Sequence, residues 1–326
     1  KIAVSNGNFE YKSRGEVPGT VLNQFSMDEY NDNFRIATTV TSDFRSGATL
    51  NNVYVLDPSM SIIGKLENLA RTERIYSARF IGDRLYLVTF RQIDPLFVID
   101  LSNPTNPKVL GELKIPGVSQ YLHPYDENHI IGVGKDAIGI DEGGREFALF
   151  QGVKMSLFDV SDVASPKEVS TVNFGNRGTE SEVLYDHKAF LFSKERNLIV
   201  LPVTLYVTTP TPPTPDLSSA YGEYDSSSAF VIELTLENGF VIKGSVVHHE
   251  KDDKEPYYYY GPPVRRSMYI DNVLYTLSDG LLKMNDLATL EKINEIKLPK
   301  QEDIYRILPV GGETAVSIGI STPAIE

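Results

Sequence analysis

A pair of strand-like runs joined by a polar turn recurs six times along the chain, and no other feature narrows the fold as sharply. A fixed repeat implies units that bury their faces only by stacking on one another. The units occupy residues 1 to 17, 53 to 66, 96 to 113, 155 to 172, 229 to 246 and 281 to 296, as in V-Y-V-L-D-P-S-M-S-I-I-G-K-L and L-F-V-I-D-L-S-N-P-T-N-P-K-V-L-G-E-L. A polar residue closes the first run of each: Ser5, Asp57, Asp100, Asp159, Glu233 and Asn285. Each unit reads as a hairpin. Between the units lie six further strand pairs, in which Tyr30, Phe80, Tyr125, Phe190, Ile270 and Val310 come shortly before a turn rich in Gly, Asn or Asp. Those turn residues supply the backbone angles of tight hairpins.

Two hairpins per period of roughly 40 to 75 residues predict an all-β fold, a β-propeller in which each four-stranded sheet forms one blade. The expected count is six blades in a single domain over residues 1 to 326. The last pair, Arg306 to Ile320, lacks an outer hairpin, and the first hairpin lacks an inner pair, so the two termini would complete one blade and remove open sheet edges. No amphipathic helix is evident. Two insertions interrupt the pattern. The Thr/Pro/Ser-rich stretch 208 to 228 reads as an extended loop, and H-H-E-K-D-D-K-E-P-Y-Y-Y-Y-G-P-P, 248 to 263, as a charged and then tyrosine-rich blade connection. Both are expected on one face of the propeller, where function usually sits.

Composition excludes several functions. A formal net charge of -13 argues against a nucleic-acid surface and against anionic membranes. The absence of cysteine rules out disulfides, thiolate metal sites and a cysteine nucleophile. No apolar run reaches the roughly 18 residues of a membrane span. The chain opens K-I-A-V-S rather than with Met, the pattern expected of a fragment or a processed form.

The segments V-P-G-T-V-L-N-Q-F-S-M-D-E-Y, E-R-I-Y-S-A-R-F-I-G-D-R-L-Y-L-V-T-F-R-Q-I-D-P-L-F-V-I-D-L, Y-L-H-P-Y-D-E-N-H, S-L-F-D-V-S-D and Y-D-H-K-A-F-L-F resemble a family of secreted prokaryotic proteins with a C-terminal β-propeller domain, distantly related to WD40 repeats. The resemblance runs from about Lys1 to Pro299. It implies an archaeal or bacterial origin, an extracellular or cell-surface location and further sequence upstream. It supplies no catalytic residue.

The inner strands are expected to line the central channel with Asp28, Glu29, Arg79, His123, Asp186, His187, Lys188, Arg265, Arg266 and Arg306. Alternation sends every second one to the channel wall. Mixed charges there would pair between neighbouring blades, an arrangement that suits a thermostable protein. Tyr185 to Phe192 reads as an inner strand, which puts Asp186 and Lys188 on one face and His187 on the other, so the aspartate does not orient the imidazole. No nucleophile motif accompanies them. His123 and His129 flank a predicted turn at a spacing open to zinc. N-D-N (31 to 33) and D-E-G-G-R-E (141 to 146) could offer carboxylates to calcium, without EF-hand spacing. The glycines of G-V-G-K-D-A-I-G (132 to 139) fit a bulge or close blade packing better than a phosphate loop. Tyr257, Tyr258, Tyr259 and Tyr260 offer rigid contact area for a protein or a sugar. The expected function is non-catalytic, a recognition or scaffold module with a protein or carbohydrate partner on the loop face and no cofactor. The alternative is a secreted hydrolase or lyase acting at the channel mouth through Asp28, Glu29, Arg79 and His187.

Overall fold

Unbroken apolar runs such as V-Y-V-L and L-F-V-I are the mark of strands buried on both faces rather than one. The computed structural model bears this out: Val53, Tyr54, Val55 and Leu56 are each at most 1% exposed, because the sheet that holds them is covered on either side. The structure describes residues 1–43, 48–90, 94–142, 145–208, 220–251 and 261–299.

The chain enters as a two-stranded hairpin, β1 (Ile2–Ser5) and β2 (Asn8–Tyr11). Five four-stranded antiparallel meanders follow. Blade 1 comprises β3 (Met27–Tyr30), β4 (Asn33–Asp43), β5 (Ala48–Leu56) and β6 (Ile62–Leu69). Blade 2 comprises β7 (Arg74–Ile81), β8 (Arg84–Phe90), β9 (Asp94–Asp100) and β10 (Lys108–Ile115). Blade 3 comprises β11 (Val118–Pro124), β12 (His129–Glu142), β13 (Arg145–Asp159) and β14 (Lys167–Phe174). Blade 4 comprises β15 (Leu191–Ser193), β16 (Leu198–Val207), β17 (Glu223–Thr235) and β18 (Gly239–Glu250). Blade 5 comprises β19 (Val264–Ile270), β20 (Val273–Ser278), β21 (Leu281–Asp286) and β22 (Lys292–Lys297). Five four-stranded sheets and the separate first hairpin match a six-bladed β-propeller. The pair expected at Arg306 to Ile320, and the closure it would make, lie outside the described residues.

The core sits between blades. Val55 and Val53 of blade 1 pack with Leu87 and Ile99 of blade 2, Val98 of blade 2 with Ile130 and Phe158 of blade 3, Met155 with Leu201 of blade 4, and Val231 with Leu274 of blade 5. The outer rim locks the same stack. Gly111 lies at a bulge of β10 against the Val163 carbonyl of the next blade, and a Cβ there would stand 2.2 Å from that oxygen. The strand-end aspartates foreseen from the repeat close the outer turns: Asp100 and Asp159 accept the Ser102 and Ser161 backbone N–H groups, at 2.9 Å in both cases. The serine contact, together with the backbone bond, holds the Asp100 carboxyl below its usual range. Gly132 and Gly134 have the structural role expected of them, pressed on Ser119 and on the Val118 carbonyl, and β12 is bulged between Lys135 and Ala137, while Gly139 faces open space.

Three expectations need correction. The stretch 208 to 228 is not loop throughout, since β17 begins at Glu223 and its Ser226, Ser227 and Ser228 are buried against β16 and β18. Of the stretch 248 to 263, His248, His249 and Glu250 belong to β18, and burial, with Lys283 nearby, pushes the His248 imidazole down to about 4. Tyr185 to Phe192 is not a strand up to Leu191. Glu182–Leu184 and His187–Ala189 are 3-10 turns, and the alternation that separated Asp186 from His187 does not apply to them.

Candidate functional site

In the five four-stranded blades each inner strand leaves its neighbour at the same register position. In blades 2, 3 and 5 the pairs Ile75–Thr89, Ser119–Gly134 and Val264–Ser278 are followed by a one-residue bulge at Tyr76, Gln120 and Arg265. Blades 1 and 4 start the same way, with the bridges Thr20–Thr39 and Glu180–Thr204, but the chain then departs for a detour before pairing resumes at Met27 and Leu191. Short polar side chains make the detours, by taking backbone donors that a strand would otherwise use. Asn23 accepts the Phe25 N–H at 2.9 Å, Ser181 the Val183 N–H at 3.3 Å and Asp186 the Lys188 N–H at 3.0 Å.

The two detours meet although blades 2 and 3 lie between blades 1 and 4 in the chain. The Phe25 ring meets the His187 ring edge-on, centroids 4.7 Å apart, and Gln24 Nε2 stands 3.4 Å from His187 Nε2. Arg79 of β7 joins this contact, its guanidinium 3.8 Å from the Phe25 centroid and 5.4 Å from that of Tyr121. Its Nε and Nη2 donate to the Leu122 carbonyl of the next blade at 2.9 and 2.7 Å. No carboxylate pairs with Arg79 among the described residues, and aromatic faces take the place of one. Tyr121 in turn shares a 2.9 Å hydrogen bond with His123 Nδ1. Burial, and the Arg79 charge after it, push the His123 imidazole down to about 4, so it is neutral at ordinary pH.

The remaining sequence candidates are structural partners at a distance from this group. Asp28 is gripped by Arg35, with Nε to Oδ1 at 2.7 Å, and Arg35 also donates to the Gly82 carbonyl of blade 2. Glu29 pairs with Lys1 at 2.6 Å. Thus Asp28 and Glu29 do not join Arg79 and His187, as the enzymatic alternative requires. His129 pairs with Asp126 at 2.8 Å while His123 faces Tyr121, so the two histidines do not share a ligand position. Asn31 and Asp32 adopt the left-handed backbone of the β3–β4 hairpin turn. Among the described residues no group of three or more His, Asp or Glu is placed to hold a metal ion. Tyr257, Tyr258, Tyr259, Tyr260 and Arg306 lie outside the described residues, as do Gly143 and Gly144 of the 141 to 146 stretch.

Beside this cluster the second detour carries a polar rim. Asp186 is ion-paired with Arg266 of blade 5, and the Lys188 N–H, with the Arg266 charge after it, holds its carboxyl below the usual range. Arg265 donates to Glu182 at 2.8 Å and to Asp279 at 3.1 Å, and those bonds, Asp279 first, raise its pKa. Lys135, buried in blade 3, reaches Glu180 at 2.7 Å, and the Tyr185 hydroxyl donates to the other oxygen of Glu180 at 3.0 Å. Two clefts open here, each of about 220 Å³. Asn23, Gln24, Gln120, Tyr121 and His187 line one, Glu180, Glu182, Thr204 and Tyr206 the other, and Tyr185 lines both.

Phe25, Tyr121, Lys135, Glu180 and Tyr185 were not among the residues singled out from sequence. The signal for the detours was present, as N-Q-F-S, S-E-V-L and D-H-K-A each place a capping side chain two residues ahead of the N–H it takes.

Inter-blade cores, a bulge or detour at one register in each described inner strand, and a shared cluster of aromatic and cationic side chains define the class: a β-propeller. The chain belongs to the family described as Beta propeller domain, which it matches over residues 1–290. It is 38% identical over 305 residues to the uncharacterized protein MJ1554 of Methanocaldococcus jannaschii, covering 93% of this chain and 40% of that protein. An uncharacterized protein of Archaeoglobus fulgidus is 37% identical over 297 residues, covering 91% of this chain and 38% of the relative. The chain therefore spans about two fifths of the length of these curated relatives. Among solved structures, apo AztD from Citrobacter koseri aligns with a TM-score of 0.47 at 14% identity, covering 84% of this chain and 60% of that one. The WD40 domain of Pan2 from Neurospora crassa aligns at 0.41 and 11% identity, covering 86% and 79%.

Proposed function

We propose that the chain is a non-catalytic recognition module, displayed outside the cell, whose ligand face is the end of the propeller bearing the two detours. One observation carries the reading: at that end Phe25, His187, Arg79 and Tyr121 pack into one cluster, and the neighbouring carboxylates Glu180, Glu182 and Asp186 are each engaged by a cation of the protein. A hydrolase or lyase needs carboxylates or a base free to converge on one substrate atom. A recognition surface needs rigid, preorganised side chains, which is what the interlocked detours supply.

The test is retention of the purified chain on isolated cell envelopes of Archaeoglobus fulgidus, with product analysis on the same samples. Wild-type chain is expected to be retained, and the pair Arg265→Glu with Gln120→Arg, which alters the detour end, to lose at least tenfold in affinity. Asp83→Arg, in the β7–β8 turn at the opposite end, should change nothing. Release of soluble saccharide or peptide that disappears in His187→Ala would establish the enzymatic alternative. Equal loss from both ends would remove the assignment of the face.

A further inference from the structure

Tyr185 is an exposed aromatic ring tied through a half-exposed glutamate to a buried lysine. It is 75% exposed, yet its hydroxyl is fixed by Glu180, which is fixed by Lys135, whose own side chain is 8% exposed. Lys135 is further anchored on the Thr179 carbonyl. An exposed tyrosine with no function is free to rotate, and this one is the end of a chain of charge-assisted hydrogen bonds running into blade 3. Its ring separates the two clefts and forms a wall of each.

The size and chemistry of the clefts narrow what could lie across that ring. Each, at about 220 Å³, is smaller than the roughly 300 Å³ at which pockets for a single drug-sized ligand begin. Two small adjoining clefts divided by an aromatic ridge suit a chain of small repeating units better than one bulky molecule. Amides line the first cleft, and amides both donate and accept. Gln120 is the bulged residue of β11 and makes no side-chain hydrogen bond among the described residues. Asn23 uses only its carbonyl oxygen, on the Phe25 N–H. The second cleft offers the carboxylate acceptors Glu180 and Glu182. The charges of both acids, and of Asp186 beside them, are balanced within the protein by Lys135, Arg265 and Arg266, so the site makes no demand for a charged ligand.

Hydroxyl groups that donate and accept at once, on a ring with an apolar face, match this combination of amides, carboxylate acceptors and a fixed aromatic plane. We propose that Tyr185 is the stacking platform of a binding site for an uncharged oligosaccharide, which lies across the ridge with one unit among Asn23, Gln24 and Gln120 and the next beside Glu180 and Glu182. This assignment rests on the recognition reading above and names the ligand class of the same face.

The test uses the whole chain and four uncharged hexasaccharides, those of β-1,4-glucose, β-1,4-mannose, α-1,4-glucose and β-1,4-N-acetylglucosamine, with hexagalacturonate as the charged comparison. Binding is read by titration calorimetry and by saturation-transfer NMR. At least one uncharged hexasaccharide should bind. Tyr185→Ala should weaken it at least tenfold with the melting temperature unchanged, Gln120→Ala should weaken it severalfold, and Tyr185→Phe, which keeps the ring, should stay within about threefold of wild type. No binding by any of the four, binding unaltered in Tyr185→Ala, preference for hexagalacturonate, or binding confined to a pool of uncharged decapeptides would each overturn the proposal. If the envelope assay still localises retention to the detour end while all four sugars fail, the sugar class falls and the recognition reading stands. If retention is lost from neither end, the recognition reading falls on its own evidence.

Discussion

The inner strands of blades 2 and 3 and those of blades 1 and 4 begin alike and end differently. β7 and β11 absorb one extra residue in a bulge and continue along their partners. Blades 1 and 4 turn the same position into detours, one through Asn23 to Ser26 and the other through Ser181 to Phe190, which meet each other. The continuous strands serve the ring, with their residues bonded to the next blade, as Ser77 to the Ser119 carbonyl at 2.6 Å and Arg79 to that of Leu122. The broken strands serve the face. A bulge re-aims one side chain, and a detour re-aims a whole turn.

That contrast yields three expectations beyond the binding tests. The largest effect belongs to the continuous strands. In Gly134→Val a Cβ would stand 1.7 Å from the Val118 carbonyl, an overlap that only separation of β11 from β12 relieves. The loss should be about 3 kcal/mol or more, read as a reduced urea midpoint or as failure to fold. If Gly134→Val instead melts like wild type, β11 is no more constrained than the detours and the contrast fails.

Arg79 joins the two kinds of strand, bonded to blade 3 and stacked on the first detour. Arg79→Ala should cost about 2 kcal/mol, by leaving the Leu122 carbonyl without its donors and Phe25 without its cation. Arg79→Lys should recover only part of this, since an ammonium cannot reproduce the planar two-donor fork. Urea denaturation of both variants measures it, and full recovery by lysine would reduce the contact to charge alone.

The smallest effect is on pH dependence. His123 on β11 has its folded pKa lowered to about 4, against about 6.5 in the unfolded chain. As pH falls the unfolded chain takes up the proton first, so this contribution is present above about 6.5, is lost progressively down to about 4, and levels off below. His123→Gln should flatten the stability profile in that window by up to one proton, measured as the urea midpoint at stepped pH. His248, lowered to about 4 as well, should keep the rest of the slope. An unchanged slope in His123→Gln would show that the ring is protonated in the folded protein.

Much of the architecture was readable before any coordinates. The six-fold hairpin repeat, the Asp turns and the close-packed Gly132 and Gly134 rest on period-two alternation and turn chemistry, which are local. The candidate site was less legible. Alternation applied to Tyr185–Phe192 assumed a strand, whereas the Asp186 side chain takes the Lys188 N–H and turns the chain instead. Asp28 and Arg79 both looked like channel residues from their distance to the turn, yet Asp28 faces an arginine of its own blade, whereas Arg79 bonds a carbonyl of the next blade and stacks on Phe25 and Tyr121.

The sequence by itself determined the class of fold, the six outer hairpins of the repeat and the residues that turn them, because each depends on neighbours a few positions apart. Only the tertiary structure decided which residues of different blades meet. Phe25 and His187 are separated by about half of the chain and touch because the detours of blades 1 and 4 converge. That convergence is a property of the whole stack, and no single blade encodes which residue will meet its own.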